Sequence, residues 1–241
     1  MKQGFVKVAS ATPRIRVADP VYNAQVICEQ AKEAAEHGAK IVVFPELCIT
    51  GYTCNDLFLQ ELLLEKAKEA LLTIAEETGQ LETLFLVGLP VDKDGRLYNV
   101  AAVLYRGRIL GMIPKKNIPM YAEFYEGRHF TPGEETVTEY RLGKQVIPFG
   151  SNLLFRCEEL PELILGCELC EDLWVAEPPS TSHALMGATV IANLSASNET
   201  VSKDDYRTLL VKASSARLLC GYIYTSAGEG ESTQDLVFGG H

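Results

Sequence analysis

Basic charge is scarce in this chain: 22 Lys and Arg stand against 32 Asp and Glu, a net charge of −10. Nucleic acid and anionic membrane both need basic patches, so neither is expected as a partner. No apolar run approaches the roughly 20 residues that cross a bilayer, and Met1-Lys2-Gln3-Gly4-Phe5-Val6 leads into a short strand-like run, not a signal-peptide core. The seven cysteines, at 28, 48, 54, 157, 167, 170 and 220, are odd in number and scattered, which excludes a disulfide framework. With no export signal, a reducing cytoplasm is the simple expectation. The four histidines, at 37, 129, 183 and 241, are dispersed, and the C-x-x-C of Cys167 and Cys170 has no second pair to complete a zinc site, so no metal is expected. Acids at 168, 171 and 172 also speak against a redox pair there. Gly228-Glu229-Gly230 does not complete G-x-G-x-x-G, because position 233 is Thr, and no Walker A sequence occurs. Internal repeats and low-complexity linkers are absent too.

What is present is a chain of 241 residues, 47% hydrophobic, enough to bury one full core, so residues 1–241 are read as one domain. Strand-like and helix-like segments alternate. A strand is expected at 5–9. Asp19-Pro20 then marks a helix start, with Val21, Ala24, Cys28, Ala31 and Ala35 at helical spacing until Gly38 stops it. Further strands are expected at 41–44, 84–88, 100–105, 108–113, 163–169, 189–192 and 222–226, and helices at 56–77, 179–186 and 204–219. Arg106-Gly107 reads as a hairpin turn. The stretch 115–151, with Pro119, Pro132, Gly133 and Gly150, reads as long and irregular, the kind of loop that carries function. The alternation predicts an α/β layered domain.

Three strand ends carry matching chemistry. The run Leu163-Ile164-Leu165-Gly166-Cys167-Glu168-Leu169 closes on Cys170, Ile41-Val42-Val43-Phe44-Pro45 closes on Glu46, and Ile109-Leu110-Gly111-Met112-Ile113-Pro114 closes on Lys115. A free thiol has a pKa of roughly 8.5 and needs a base or cation to act as a nucleophile near neutrality. Most cysteines in apolar runs are inert core, most strand-end glutamates are solvated, and Lys115 beside Lys116 has the ordinary look of a surface pair. Together, a carboxylate, a cation and a thiol just past apolar strands are the parts of a thiol amidohydrolase.

The chain resembles the nitrilase, or carbon–nitrogen hydrolase, superfamily from about Phe5 to its end, through Phe-Pro-Glu-Leu at 44–47, Pro-Lys-Lys-Asn at 114–117 and Cys-Glu-Asp-Leu-Trp at 170–174. Ile-Pro-Met-Tyr-Ala-Glu-Phe-Tyr-Glu at 118–126, Asn-Leu-Ser-Ala-Ser at 193–197 and Gly-Glu-Gly-Glu-Ser-Thr at 228–233 look like the glutaminase domain of glutamine-dependent NAD synthetases. The resemblance implies a four-layer α-β-β-α sandwich. It also implies Cys170 as nucleophile, Glu46 as general base, Lys115 as oxyanion stabiliser, and Glu126 as a second glutamate, with Glu123 its competitor. Glutamine would meet Glu171 at its ammonium, Ser197 and Lys203 at its carboxylate, and walls of Tyr121, Phe124 and Trp174. No cofactor is expected in this domain. ATP and Mg belong to a synthetase domain whose Ser-Gly-Gly-x-Asp-Ser loop is absent here, and a homo-oligomer is expected. Leu236-Val237-Phe238 reads as a strand and Gly239-Gly240 as a turn before His241, with no returning strand, as in a piece of a longer protein. Two other readings stay open: a free-standing amidase acting on another amide such as a carbamoyl-amine, and a non-catalytic assembly module.

Overall fold

The computed structural model describes residues 4–240, so His241 lies outside the described residues. Seven strands form one sheet: β1 (Val8–Ser10), β2 (Ile41–Val43), β3 (Leu84–Lys93), β4 (Arg96–Tyr105), β5 (Arg108–Pro114), β6 (Thr138–Leu142) and β7 (Gln145–Phe149), in the order β1-β2-β3-β4-β5-β7-β6. Four more form a second sheet: β8 (Phe155–Arg156), β9 (Ile164–Leu169), β10 (Val190–Ser195) and β11 (Gly221–Ser226), in the order β11-β10-β9-β8.

The two sheets face each other across an apolar layer. Val43, Leu86, Ala101, Val103 and Ile113 come from the larger sheet, and Leu165, Cys167, Leu169, Ala192 and Leu194 from the smaller. The other face of the larger sheet packs through Phe44, Phe85, Val87 and Leu104 on α1 (Pro20–Glu36) and α2 (Glu61–Glu77). The smaller sheet is covered by α3 (Pro179–Leu185) and α4 (Lys203–Leu218), with Ile191 and Cys220 packed beside Ala184 and Leu218. The result is the expected four-layer α-β-β-α sandwich. Among the described residues, no helix is long and apolar enough to cross a membrane.

Local chemistry explains the elements. Asp19 caps α1, accepting the Tyr22 N–H at 3.1 Å, and Pro20 occupies the first turn. Gly38, at φ +82°, lets the chain leave the helix. The buried face of α1 runs through Ala24, Ile27, Cys28 and Ala31, while Val21 faces solvent.

Several expectations need correction. The first strand lies at Val8–Ser10, three residues paired with β2. The helix expected at 56–77 begins only at Glu61, because Gln60 is extended and Asn55–Leu59 form a separate 3-10 turn. The strand expected to stop at Gly88 continues to Lys93, since Asp94-Gly95, both at positive φ, fold it back onto β4. The stretch 115–151 contains the hairpin β6–β7, whose Tyr140, Leu142, Ile147 and Phe149 alternate into the core. Residues 236–238 form no strand. Phe238 instead packs edge-on against Tyr52, ring centroids 6.0 Å apart.

Candidate active site

Strand ends from both sheets converge. Glu46 follows β2, Lys115 follows β5, and Cys170 follows β9. The Glu46 N–H donates to Ser195 O at the end of β10, 3.3 Å away, joining the two sheets at this point. The turn after β2 runs flat across β3 at Gly88, where a Cβ would lie 2.2 Å from Leu47 N and 2.8 Å from the Glu46 carbonyl carbon. Only glycine admits that approach.

Glu46 and Lys115 are wholly buried. The Lys115 ammonium donates to Glu46 Oε1 at 2.7 Å and to Glu126 Oε1 and Oε2 at 2.6 and 2.8 Å. Asn99, on β4, donates from Nδ2 to Glu46 Oε1 at 2.7 Å and, more loosely, to Glu126 Oε2 at 3.4 Å. Tyr52 donates its hydroxyl to Glu126 Oε1 at 2.8 Å, and the Ala196 N–H donates to Glu46 Oε2 at 2.9 Å. Burial alone would lower the Lys115 pKa, but Glu126 and Glu46 outweigh it and hold the ammonium well above its ordinary range. Burial raises the Glu126 carboxyl, with Lys115 opposing.

Cys170 opens a single 3-10 turn, Cys170–Leu173, with φ at +41°. A left-handed non-glycine residue costs about 1–3 kcal/mol and is the strain often found at functional positions. Burial raises the thiol far above its usual range, Glu46 adds to the rise, and Lys115 opposes it. A thiol held in this way needs a proton acceptor to serve as a nucleophile. Asp172 fixes where it stands: Oδ2 accepts the Leu169 N–H at 3.0 Å, while Oδ1 accepts both the backbone N–H and the side-chain amide of Asn117 at 2.8 Å. The turn bearing Cys170 is thus fastened to the segment bearing Lys115.

The remaining expected residues gather at the rim. Tyr121 donates to Glu171 Oε2 at 2.9 Å and stacks edge-on against Phe124 at 5.7 Å. Burial raises the Glu171 carboxyl, and the Tyr121 bond opposes it. The Lys203 ammonium lies 5.3 Å from the Phe124 ring centroid and 5.6 Å from that of Trp174, and donates to Asn198 Oδ1. Burial lowers its pKa. Ser197 is buried, and its Oγ accepts from Arg207 Nη1 at 3.0 Å, so its hydroxyl is already engaged. Of the two candidate second glutamates, Glu126 meets Lys115, whereas Glu123 accepts from Asn198 at 2.6 Å. Lys116 points away to an exposed pair with Glu135.

Sequence reasoning missed Asn99, Tyr52, Asp172 and Arg207. Asn99 did leave a signal, as the one amide in the otherwise apolar run 97–104. Asp172 lies inside the Cys-Glu-Asp-Leu-Trp motif, where the sequence shows it only as an acid that disfavours a thiolate. Among the described residues no group of three or more His, Cys, Asp or Glu could hold a metal ion. The arrangement pairs a nucleophile with a buried carboxylate and a fixed cation, the equipment of acyl transfer through a thioester.

Comparison with known proteins places the chain in a family. Residues 7–241 match the Carbon-nitrogen hydrolase family. The chain is 43% identical over 239 residues to the glutamine-dependent NAD(+) synthetase of Mycobacterium tuberculosis, a match covering 99% of this chain but 35% of that protein. It is similar in structure to a glutamine-dependent NAD(+) synthetase from Cytophaga hutchinsonii, with TM-score 0.83 and 29% identity over 92% of this chain and 36% of that one. In fold alone it is similar to an amidase from Nesterenkonia sp., with TM-score 0.73 and 20% identity over 99% of this chain and 81% of that one.

Proposed function

Because the chain belongs to the carbon–nitrogen hydrolase family, we propose that its buried cluster is a glutaminase site, the ammonia-releasing part of a longer glutamine-dependent NAD synthetase. The observation that carries the reading is a single ammonium, Lys115, held between Glu46 and Glu126 beside a strained, buried Cys170. Glu46 takes the thiol proton as Cys170 Sγ attacks the side-chain carboxamide of glutamine. Lys115 stabilises the oxyanion of the tetrahedral intermediate. The proton on Glu46 passes to the departing nitrogen, ammonia leaves, and a γ-glutamyl thioester remains. Water then gives its proton to Glu46 and attacks the thioester, releasing glutamate and restoring the thiol.

Glu171 would receive the substrate ammonium. Lys203, flanked by Phe124 and Trp174, would receive the carboxylate, with Ser197 beside it and Tyr121 closing the wall. Lys115 already supplies the charge the oxyanion needs, so this half-reaction asks for no metal or organic cofactor. ATP and Mg would serve a second domain, which would spend the ammonia on the nicotinamide amide. The relatives support that view, since the chain spans 35% of the Mycobacterium protein's length.

The test compares ammonia release from glutamine with release from simple amides and carbamoyl-amines, in the full-length protein and its Cys170→Ala variant. A glutamine-like electrophile should form its adduct on Cys170, and Cys170→Ala should abolish turnover while Cys167→Ser keeps most of it. Turnover surviving in Cys170→Ala, or preference for another amide, refutes the reading.

A further inference from the structure

Two carboxylates share one ammonium in this interior, yet the chemistry asks only one of them to carry a proton back and forth. Asn99 lies between them, wholly buried. Its Nδ2 donates to Glu46 Oε1 at 2.7 Å and reaches Glu126 Oε2 at 3.4 Å. Its backbone oxygen accepts the Lys115 N–H at 2.8 Å. Its own Oδ1 is buried with no hydrogen-bond partner among the described residues.

An orphaned buried acceptor is unfavourable, so its orientation needs a reason. Turning the amide over would place Oδ1 against Glu46 Oε1, two acceptors face to face. The observed orientation therefore belongs to a Glu46 that keeps Oε1 as an acceptor throughout. Lys115 and Asn99 together occupy that oxygen. The other oxygen, Oε2, accepts one bond, from the Ala196 N–H, and keeps one lone pair.

We propose that Asn99 is a positioning residue that fixes the site of proton transfer. By filling Glu46 Oε1 it leaves Oε2 as the atom that takes the Cys170 proton, and by donating toward both carboxylates it keeps Glu46 and Glu126 from sharing that proton between them. The proton leaves Sγ, lands on Glu46 Oε2 and returns from there to the leaving nitrogen. Asn99 exchanges no proton at any step. The charged and titratable groups facing Glu46 are Lys115 from the end of β5, Glu126 from the loop after it, and Cys170 from the end of β9, with Tyr52 reaching in through Glu126. The inference rests on the glutaminase reading for its substrate, but not for its geometry.

The test uses the full-length protein with Asn99→Leu, which keeps the volume and removes the donor, and Asn99→Asp, which keeps the shape and adds a carboxyl. Melting curves establish that each variant is folded. The first measurement is the pH profile of glutamine hydrolysis. The second is the pH profile of Cys170 alkylation by iodoacetamide, read by mass spectrometry, which needs no glutamine. Losing a donor to a carboxylate raises its pKa, so in Asn99→Leu the acid limb of both profiles should move up by about one pH unit. kcat should fall roughly 10- to 100-fold with KM within about twofold, and Asn99→Asp should lose more. A folded Asn99→Leu with an unmoved acid limb, or a loss confined to KM, overturns the proposal. If the wild type does not turn over glutamine while the alkylation limb still shifts, the substrate reading fails and the role of Asn99 stands. If Asn99→Leu does not fold, the alkylation limb of Asn99→Asp decides, and no displacement there overturns the proposal.

Discussion

Lys115 and Lys116 are neighbours in sequence and opposites in setting. One ammonium is sealed between Glu46 and Glu126, and the other is exposed beside Glu135. A buried cation of this kind is held by its partners, and removing one member of such a set typically costs 3–5 kcal/mol because the rest are left uncompensated. An exposed pair contributes about 0–1 kcal/mol. Lys115→Met should therefore lower kcat for amide hydrolysis by at least ~10² and also lower the melting temperature. Lys116→Ala should leave both nearly unchanged. Steady-state ammonia release with parallel melting curves checks this, and equal losses would contradict it. Cys170, Glu46 and Lys115 were legible because each ends an apolar run, where burial and a turn coincide. Asn99 was not, because its surroundings come from other elements: β4 runs antiparallel to β3 and β5, which brings its beginning to their ends. Nothing local to 97–104 says what that amide will face.

At the scale of elements, the site depends on fastenings between loops. Asp172 ties the turn after β9 to Asn117, and Asp56 accepts from Arg128 at 2.8 Å and from His129 at 2.9 Å, holding the segment that carries Glu126. Asp172→Ala would strand the buried Leu169 N–H, at about 1–3 kcal/mol, and release the half-buried Asn117 donors. It should reduce kcat by about tenfold or more and lower the melting temperature, with Asp172→Asn in between. Chemical denaturation and steady-state rates on the same preparations check it, and an Asp172→Ala enzyme at full rate would show that the fastening sets no geometry. Most helices and central strands followed from spacing and capping, as at Asp19-Pro20 and Gly38. The hairpin β6–β7 did not, although Tyr140, Leu142, Ile147 and Phe149 alternate inward and Gly143 supplies its turn. Prolines and glycines on either side drew the reading toward loop. Asp94-Gly95 is a turn signal of the same kind as Arg106-Gly107, while Pro90 inside β3 is a residue that strand patterns disfavour.

At the scale of the whole molecule, the helix-facing side of the smaller sheet buries polar groups next to the apolar cluster around Ile191. Glu168 is buried there, accepting from Tyr222 and from the Ser180 N–H at 2.8 Å, and His183 is buried with Nε2 3.0 Å from Ser151 O. Burial lowers the His183 pKa, so its folded value lies below its unfolded value of about 6.5. The unfolded chain then binds the proton first. Its stabilising contribution is complete above that pH and is lost as pH falls from about 6.5 toward the folded value. Wild-type melting temperature should drop between pH 7 and pH 5 more than that of His183→Gln, measured in matched buffers. Identical slopes would remove His183 from the account.

Glu46 and Cys170, the proposed proton acceptor and nucleophile, follow strands of different sheets, and the apolar layer of Leu86, Val103, Cys167, Leu169 and Ala192 lies between those sheets. That layer acts as a shim. Its thickness sets the spacing of the two sheets and so of the strand ends that carry Glu46 and Cys170, and close-packed interiors transmit a change of one methylene instead of absorbing it. Misplacing reacting groups by about 1 Å can cost on the order of 10² in rate. On the proposed mechanism the turnover number would be a caliper on this interior, set in part by side chains that never meet substrate.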